Sequence, residues 1–327
     1  MANNARPFDR LNLPAMDHYL ESLLSASSDT PLLRPGHVLE ISGQEKSGKT
    51  NFLLHLILTT VLPVEIVLNN TSIPLGGKGA SVIFVDMDSR SFMLNVLIRW
   101  IRAHLKRCLS HASLLHGTAI ELSLADETAL IQTCLENCII LRPSSPKDLL
   151  NLLTQLLPTM SGIDAFPHRP MLLAFDPITA FLDFPQTLDM HKNLEHTIKS
   201  LIQCYGLITV GVCFHYTISK PIKSTFVGAY SLDEPPIPES NIDTGKYRRE
   251  KDAAWWYAVF SSAPLAIRFD MECVGVFHEF ECILTKMLIK MSGYQDGRLF
   301  MPHGLSFSKI ELEISADGVF SPVHDNI

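Results

Sequence analysis

Short apolar runs alternate with longer amphipathic stretches between residues 38 and 213, and this alternation sets the predicted elements. The apolar runs are Val38 to Ser42, Ser81 to Asp86, Cys138 to Arg142, Met171 to Asp176 and Leu207 to Cys213. Each is too short for a helix and lacks the polar alternation of a half-exposed strand, so each reads as a strand buried on both faces. Between them, the helical period of about 3.6 residues marks Asn51 to Leu62, Ser91 to Leu109, a helix from Asp126, Pro146 to Leu157 and Leu188 to Tyr205. The helix at Ser91 sets Leu94, Leu97, Ile98, Ile101 and Leu105 on one face and Arg99, Arg102, Lys106 and Arg107 on another. That basic face suits phosphate, an acidic partner or plain solvation. Buried strands separated by helices predict an α/β fold with a mostly parallel central sheet flanked by helices.

Outside this block the pattern changes. Residues 1–35 carry one amphipathic stretch, Met16 to Leu24, then Ser and Pro, and are expected to be a lead-in segment to a domain over 36–327. Pro63 to Gly79 and Pro158 to Pro170 read as surface loops. From Tyr216 to Asp252 the chain is rich in Pro, Ser, Gly and mixed charge, a length that is functional or mobile in a compact domain. Strand periodicity resumes at Ala254 to Phe260, Leu265 to Met271, Ile283 to Met291 and Ile310 to Ile314, with a turn at Asp317-Gly318. These are expected to extend the sheet toward the C-terminus with antiparallel pairing.

Composition narrows the function. The 327 residues are 46% hydrophobic, ample for a buried core, and the longest apolar run, Phe52 to Val64, is broken by His55 and Pro63, so no membrane partner is expected. A net charge of −7 argues against a protein that coats nucleic acid by bulk electrostatics. Seven cysteines without a C-x-x-C pair favour reduced thiols, and Cys134 and Cys138, one helical turn apart, have no neighbouring His to complete a zinc site.

The strongest chemical signal is Gly43-Gln44-Glu45-Lys46-Ser47-Gly48-Lys49-Thr50, set between a predicted strand and a predicted helix. This is the spacing of a phosphate-binding loop in its required context. The glycines permit torsions that turn backbone N–H groups toward an anion at a helix N-terminus. Lys49 is placed to reach the β- and γ-phosphates of ATP, and the Thr50 hydroxyl to hold Mg²⁺. Asp176, closing an apolar strand, is the expected second Mg²⁺ residue through the ion's water shell. Asp86-Met87-Asp88 closes another strand, where a carboxylate orients an attacking water or simply caps a turn. In the long loop, Tyr247-Arg248-Arg249 and nearby lysines suit single-stranded DNA, though nearby acids cancel most of that charge.

Phe-Val-Asp-Met-Asp-Ser (84–89) after the glycine loop, followed by Leu-Leu-Ala-Phe-Asp-Pro-Ile-Thr-Ala-Phe (172–181), resembles the P-loop ATPase core of RecA-type recombinases. Looser similarity to the eukaryotic recombinase paralogues runs through residues 141–150, Ala254-Trp255-Trp256 and 307–319. The resemblance implies a nuclear ATP- and Mg²⁺-binding subunit of a homologous-recombination repair complex. Its implied partners are other recombinase paralogues, with single-stranded or branched DNA met through the complex. Two departures bear on turnover. Asp88, the candidate catalytic residue, stands where strand-exchange recombinases usually have the longer Glu, and Phe214-His215-Tyr216 lacks their γ-phosphate-sensing Gln. The expectation is therefore intact nucleotide binding with weak or partner-dependent hydrolysis. The rival reading is an autonomous P-loop ATPase or small-molecule kinase, which calls for a substrate lid and clustered arginines that the sequence does not clearly provide.

Overall fold

The computed structural model describes residues 9–24, 31–68, 70–88, 92–117, 119–159, 170–181, 187–214, 254–279, 282–295, 298–300, 310–315, 317–318 and 320–322. His215, Tyr216 and the segment to Asp252, including Tyr247-Arg248-Arg249, lie outside them, as does most of the predicted loop between Pro158 and Pro170.

Six parallel strands form the centre: β1 (Val38–Gly43), β4 (Ser81–Asp86), β5 (Cys138–Leu141), β6 (Pro170–Asp176), β7 (Ile208–Phe214) and β8 (Leu265–Glu279). Their order is β5-β4-β6-β7-β1-β8, so β1 is bonded along both edges, to β7 and to β8. Antiparallel strands extend the sheet beyond β8: β9 (Cys282–Gln295), β10 (Arg298–Phe300), β11 (Ile310–Ile314) and β12 (Phe320–Pro322). The expected antiparallel extension is thus present, while β8 itself runs parallel to β1 and turns the pairing over only at its other edge.

Helices cover both faces, which is why the central strands are apolar without alternation. On one face lie α1 (Pro14–Leu23), α2 (Lys49–Val61), α3 (Phe92–His116) and α4 (Leu124–Glu136), packed with Leu39 and Ile41 of β1 around Phe52, Leu56 and Trp100. On the other lie α5 (Pro146–Thr159), α6 (Leu188–Tyr205) and α7 (Ala254–Ser261), packed with Val38 around Phe175, Ile198 and Trp256. Side chains alternate along β1, so Leu39 and Ile41 serve the first core while Val38 and Glu40 serve the second. Leu11, Met16 and Leu20 are buried in the first core. Asp17 accepts from the backbone N–H groups of Leu11 and Leu13 at 2.8 and 3.1 Å, and Lys78 pairs with Asp9 at 2.9 Å.

Three sequence readings are corrected. Ala254 to Phe260 is helix α7 rather than a strand, because Ala-Trp-Trp-Tyr-Ala-Val-Phe is apolar throughout and carries no period that separates the two. What decides it is tertiary: Trp255, Trp256, Val259 and Phe260, at i, i+1, i+4 and i+5, are all buried against the sheet. Gly211 of β7 makes room, since any Cβ there would overlap the Trp256 ring. Within the predicted loop from Pro63 to Gly79, β2 (Glu65–Leu68) and β3 (Thr71–Pro74) form an antiparallel hairpin, with Asn70 in the left-handed region. Helix α3 runs to His116, past the predicted end at Leu109, because Ala112 continues its buried stripe.

Two histidines are built in as neutral groups. His37 Nδ1 accepts the backbone N–H of Arg34 at 3.1 Å, and His55 Nε2 lies 3.2 Å from the carbonyl of Leu11. Burial pushes each down to about 4 from an ordinary value near 6.5. Between those values the unfolded chain holds protons that the folded chain does not, so stability falls as pH drops from about 6.5 toward 4. His37→Asn with His55→Gln keeps the hydrogen-bonding atoms without the titration. We expect the urea midpoint of this variant to fall less between pH 7 and pH 5 than that of the parent. Separately, Gly211→Ala should destabilise by about 1–3 kcal/mol through overpacking against Trp256, measured by urea unfolding.

Candidate functional site

Strand β1 is held at its last residue by neighbours on both sides, Gly43 being in register with Phe214 of β7 and Met271 of β8. The chain then has five residues, Gln44 to Gly48, before helix α2 begins at Lys49, and it uses torsions open chiefly to glycine. Gly43 has φ 153°, and a Cβ there would overlap the Met271 carbonyl oxygen and crowd Ser47 Oγ. Gly48, the N-cap of α2, has φ 87°, and Lys46 takes φ 63°. Left-handed torsions within a turn curl successive backbone N–H groups into an anion-binding concavity. Gly48 offers no capping side chain and the first turn of α2 holds no acid, so its positive end is available to an outside anion.

The side chains converge on the same place. Ser47 and Lys49 are buried, whereas Gln44, Glu45 and Lys46 form the exposed crest of the loop. The Lys49 ammonium folds back over the loop, donating to the Gln44 carbonyl and to Ser47 Oγ, the latter at 3.3 Å. Thr50 Oγ1 donates to Asp176 Oδ2 at 3.0 Å, although 126 residues separate them. Asp176 reaches it from the end of β6, two strands from β1, and is itself buried. Six of the ten predicted positions therefore lie in one continuous cluster: Gly43, Ser47, Gly48, Lys49, Thr50 and Asp176.

The carboxylates after β4 are placed differently from one another. Asp86 is buried in register with Asp176, and the half-exposed Arg142 at the end of β5 donates to it through Nε at 3.1 Å. Met87 is buried, its N–H donating to the Asp176 carbonyl at 2.9 Å, and Asp88 stands exposed in the following turn. The acid integrated at the strand end is Asp86, then, and the candidate base Asp88 lies at the surface.

A second polar network lies beneath the loop on the α7 face, and the sequence reading missed it. Glu40, buried in the middle of β1, accepts from Trp256 Nε1 at 3.0 Å and from Arg268 Nε at 2.7 Å. Burial pulls the Arg268 guanidinium down, but the charge and hydrogen bond of Glu40 outweigh it and hold it above its ordinary value. The guanidinium also sits 5.5 Å from the Phe260 ring centroid. One pair toward the loop, Ser42 Oγ donates to Asp270 of β8. The available signal was an acid inside an apolar strand and two charges at i, i+2 in Leu265 to Met271, which alternation puts on one face.

Cys134 and Cys138 belong to the core side of α4 and β5, and burial pushes each thiol up to about 12, as inert thiols behave. Among the described residues no group of His, Cys, Asp and Glu side chains gathers to hold a metal ion by itself, and no helix is long and apolar enough to cross a membrane. A site for Mg²⁺ here depends on phosphate oxygens as co-ligands, which suits the single hydroxyl and single carboxylate present. Comparison with models of known protein families and with curated proteins finds no match to the chain.

Glu40→Gln leaves the Arg268 charge without its counter-ion. We expect a loss of about 1–3 kcal/mol in urea unfolding, below the cost for a fully buried pair because Arg268 keeps partial exposure. Trp256 fluorescence should shift with it, since its indole N–H loses a charged acceptor.

Proposed function

We propose that the chain is a RecA-like, ATP·Mg²⁺-binding recombinase paralogue that works as a subunit of a homologous-recombination repair complex and turns ATP over slowly or only with a partner. The observation that carries the nucleotide part is the joining of Lys49 and the Thr50–Asp176 pair over a glycine loop at the end of the central parallel strand. Held by Thr50 and Asp176, Mg²⁺ would supply positive charge that offsets the charge of the phosphates.

The chain's own residues divide the remaining work. The Gly43–Gly48 backbone and the N-terminus of α2 cradle the phosphates, and Lys49, which donates to the Gln44 carbonyl and Ser47 Oγ, adds a point charge toward them. Thr50 would supply a hydroxyl to the ion, and Asp176, which accepts from that hydroxyl, would orient it. Slow turnover follows from the acids after β4. Asp88 is short and exposed, and the Asp86 carboxylate is engaged by Arg142, so neither supplies the longer Glu that poises water in strand-exchange recombinases. The repair-complex part rests on the sequence resemblance, together with a loop that binds nucleotide without an evident engine. In that arrangement nucleotide stabilises an assembled state by linkage.

Titration calorimetry with ATP and Mg²⁺ tests the site. Lys49→Ala should weaken binding about 10- to 150-fold, the worth of a hydrogen bond to a charged group, with the fold retained. Turnover by the isolated chain should stay far below about 1 s⁻¹, the low end for ordinary enzymes. Rapid phosphate transfer to a small acceptor would instead identify an autonomous kinase. Absence of nucleotide binding both alone and with a recombinase-paralogue partner would remove the ATP-dependent reading.

A further inference from the structure

Among the described residues two hydroxyls are buried without a hydrogen-bond partner, those of Thr179 and Thr209, whose side chains belong to residues 3% and 0% exposed. Such a group has given up its water and received nothing in exchange, which costs the folded chain stability. The two stand at opposite ends of the sheet. Thr209 is near the start of β7, in register with Val38 at the start of β1 and with Leu173 of β6, so its strand neighbours there are apolar.

Thr179 lies at the other end, in the turn that follows β6, three residues after Asp176. That turn is held in several ways. The Ile178 N–H donates to the Val212 carbonyl of β7 at 2.8 Å, and the Ala180 N–H closes the turn on the Pro177 carbonyl at 3.1 Å. Ile178 and Phe181, on either side of Thr179, are buried in the second core. Val212 stands two residues before Phe214, which pairs with Gly43, so the turn sits at the sheet edge from which the phosphate loop rises. Asp176 at its start is the residue that accepts the Thr50 hydroxyl at 3.0 Å. A fixed turn therefore carries an unsatisfied hydroxyl three residues from the carboxylate that meets the loop.

We propose that Thr179 is a positioning residue of the nucleotide site, its hydroxyl finding its partner in a water that enters with Mg²⁺ and phosphate. The inference rests on the reading of Gly43 to Thr50 and Asp176 as a site for ATP and Mg²⁺. An ion offered one hydroxyl and one carboxylate by the protein keeps several waters, and groups around those waters orient them. A hydroxyl both donates and accepts, so Thr179 can hold such a water without adding charge beside Asp176. Its β-branched side chain has few rotamers to lose in doing so. A polar group that is unsatisfied in the empty site and satisfied in the filled one favours the filled one, adding to binding what it subtracts from stability. Thr209 has the same unpaired hydroxyl but stands at the far end of β7, and it has no such use.

Thr179→Val in the full chain keeps the branched shape and removes the hydroxyl. Without ligand this variant should melt at or above the temperature of the parent, because the hydroxyl it loses has no partner. In titration calorimetry with ATP and Mg²⁺ it should bind about 2- to 10-fold more weakly, the worth of one neutral hydrogen bond. Thr179→Ser, which keeps the hydroxyl, should recover most of that loss. With Mg²⁺ removed by EDTA, parent and Thr179→Val should bind ATP alike, since the water concerned arrives with the ion. Thr209→Val should leave affinity unchanged in either condition. If the parent binds ATP and Mg²⁺ and Thr179→Val matches it, the inference falls while the reading of the site stands. A Thr179→Val variant that melts well below the parent without ligand also overturns it, because the hydroxyl then has a structural role. Equal weakening by Thr209→Val would mark a general effect on packing and overturn it too. No nucleotide binding by the parent removes the reading of the site, and the inference with it.

Discussion

The structure turns on a constraint at one point: β1 is bonded along both edges, so the chain leaving its end can go only forward, and it must do so past the Met271 carbonyl. Gly43 satisfies that constraint because it has no Cβ to collide there. The two neighbouring strands then hold the loop base rigidly, and α2, buried nearly all round, holds its other end. The position of Lys49 and Thr50 follows from this clamp rather than from contacts of their own. That is why Thr50 meets a carboxylate from a strand more than a hundred residues away.

The same strand explains the second network. Alternation along β1 sends Leu39 and Ile41 to one core and Glu40 and Ser42 to the other, where an acid must be paired to be buried at all. Arg268 and the Trp256 indole supply the pairing, and both arrive after the long segment from residue 215 to residue 253. Removing either partner therefore loosens the junction of α7 and β8 with the strand that carries the loop. In this way the C-terminal part of the chain supports a site it does not contain.

Much of this was legible from residues alone, for identifiable reasons. Buried parallel strands announce themselves as unbroken apolar runs, and the glycine loop stands in the strand–loop–helix setting its spacing calls for. The Thr50–Asp176 meeting was legible because both lie at strand or helix ends of a known kind of sheet. What failed did so where local pattern carries no direction. Ala254 to Phe260 is apolar on every side, so only the sheet beneath it makes it a helix, and Asn69-Asn70 signals a turn without saying that strands flank it. The pairing of Glu40 with Arg268 depends on β8 running parallel beside β1, which sequence order does not fix.

The central claim is that phosphate is held by the backbone and side chains at the end of β1. A different concavity exists at the other end of the same strand, a cavity of about 440 Å³ lined in part by Gly36, Lys199 and Pro264. Amide hydrogen exchange with and without Mg²⁺·ATP distinguishes the two directly. The account predicts slowed exchange at residues 43–50 and at the end of β6 near Asp176, abolished by Lys49→Ala. Protection confined to residues 35–38 and 199–206, or none that responds to Lys49→Ala, would contradict it.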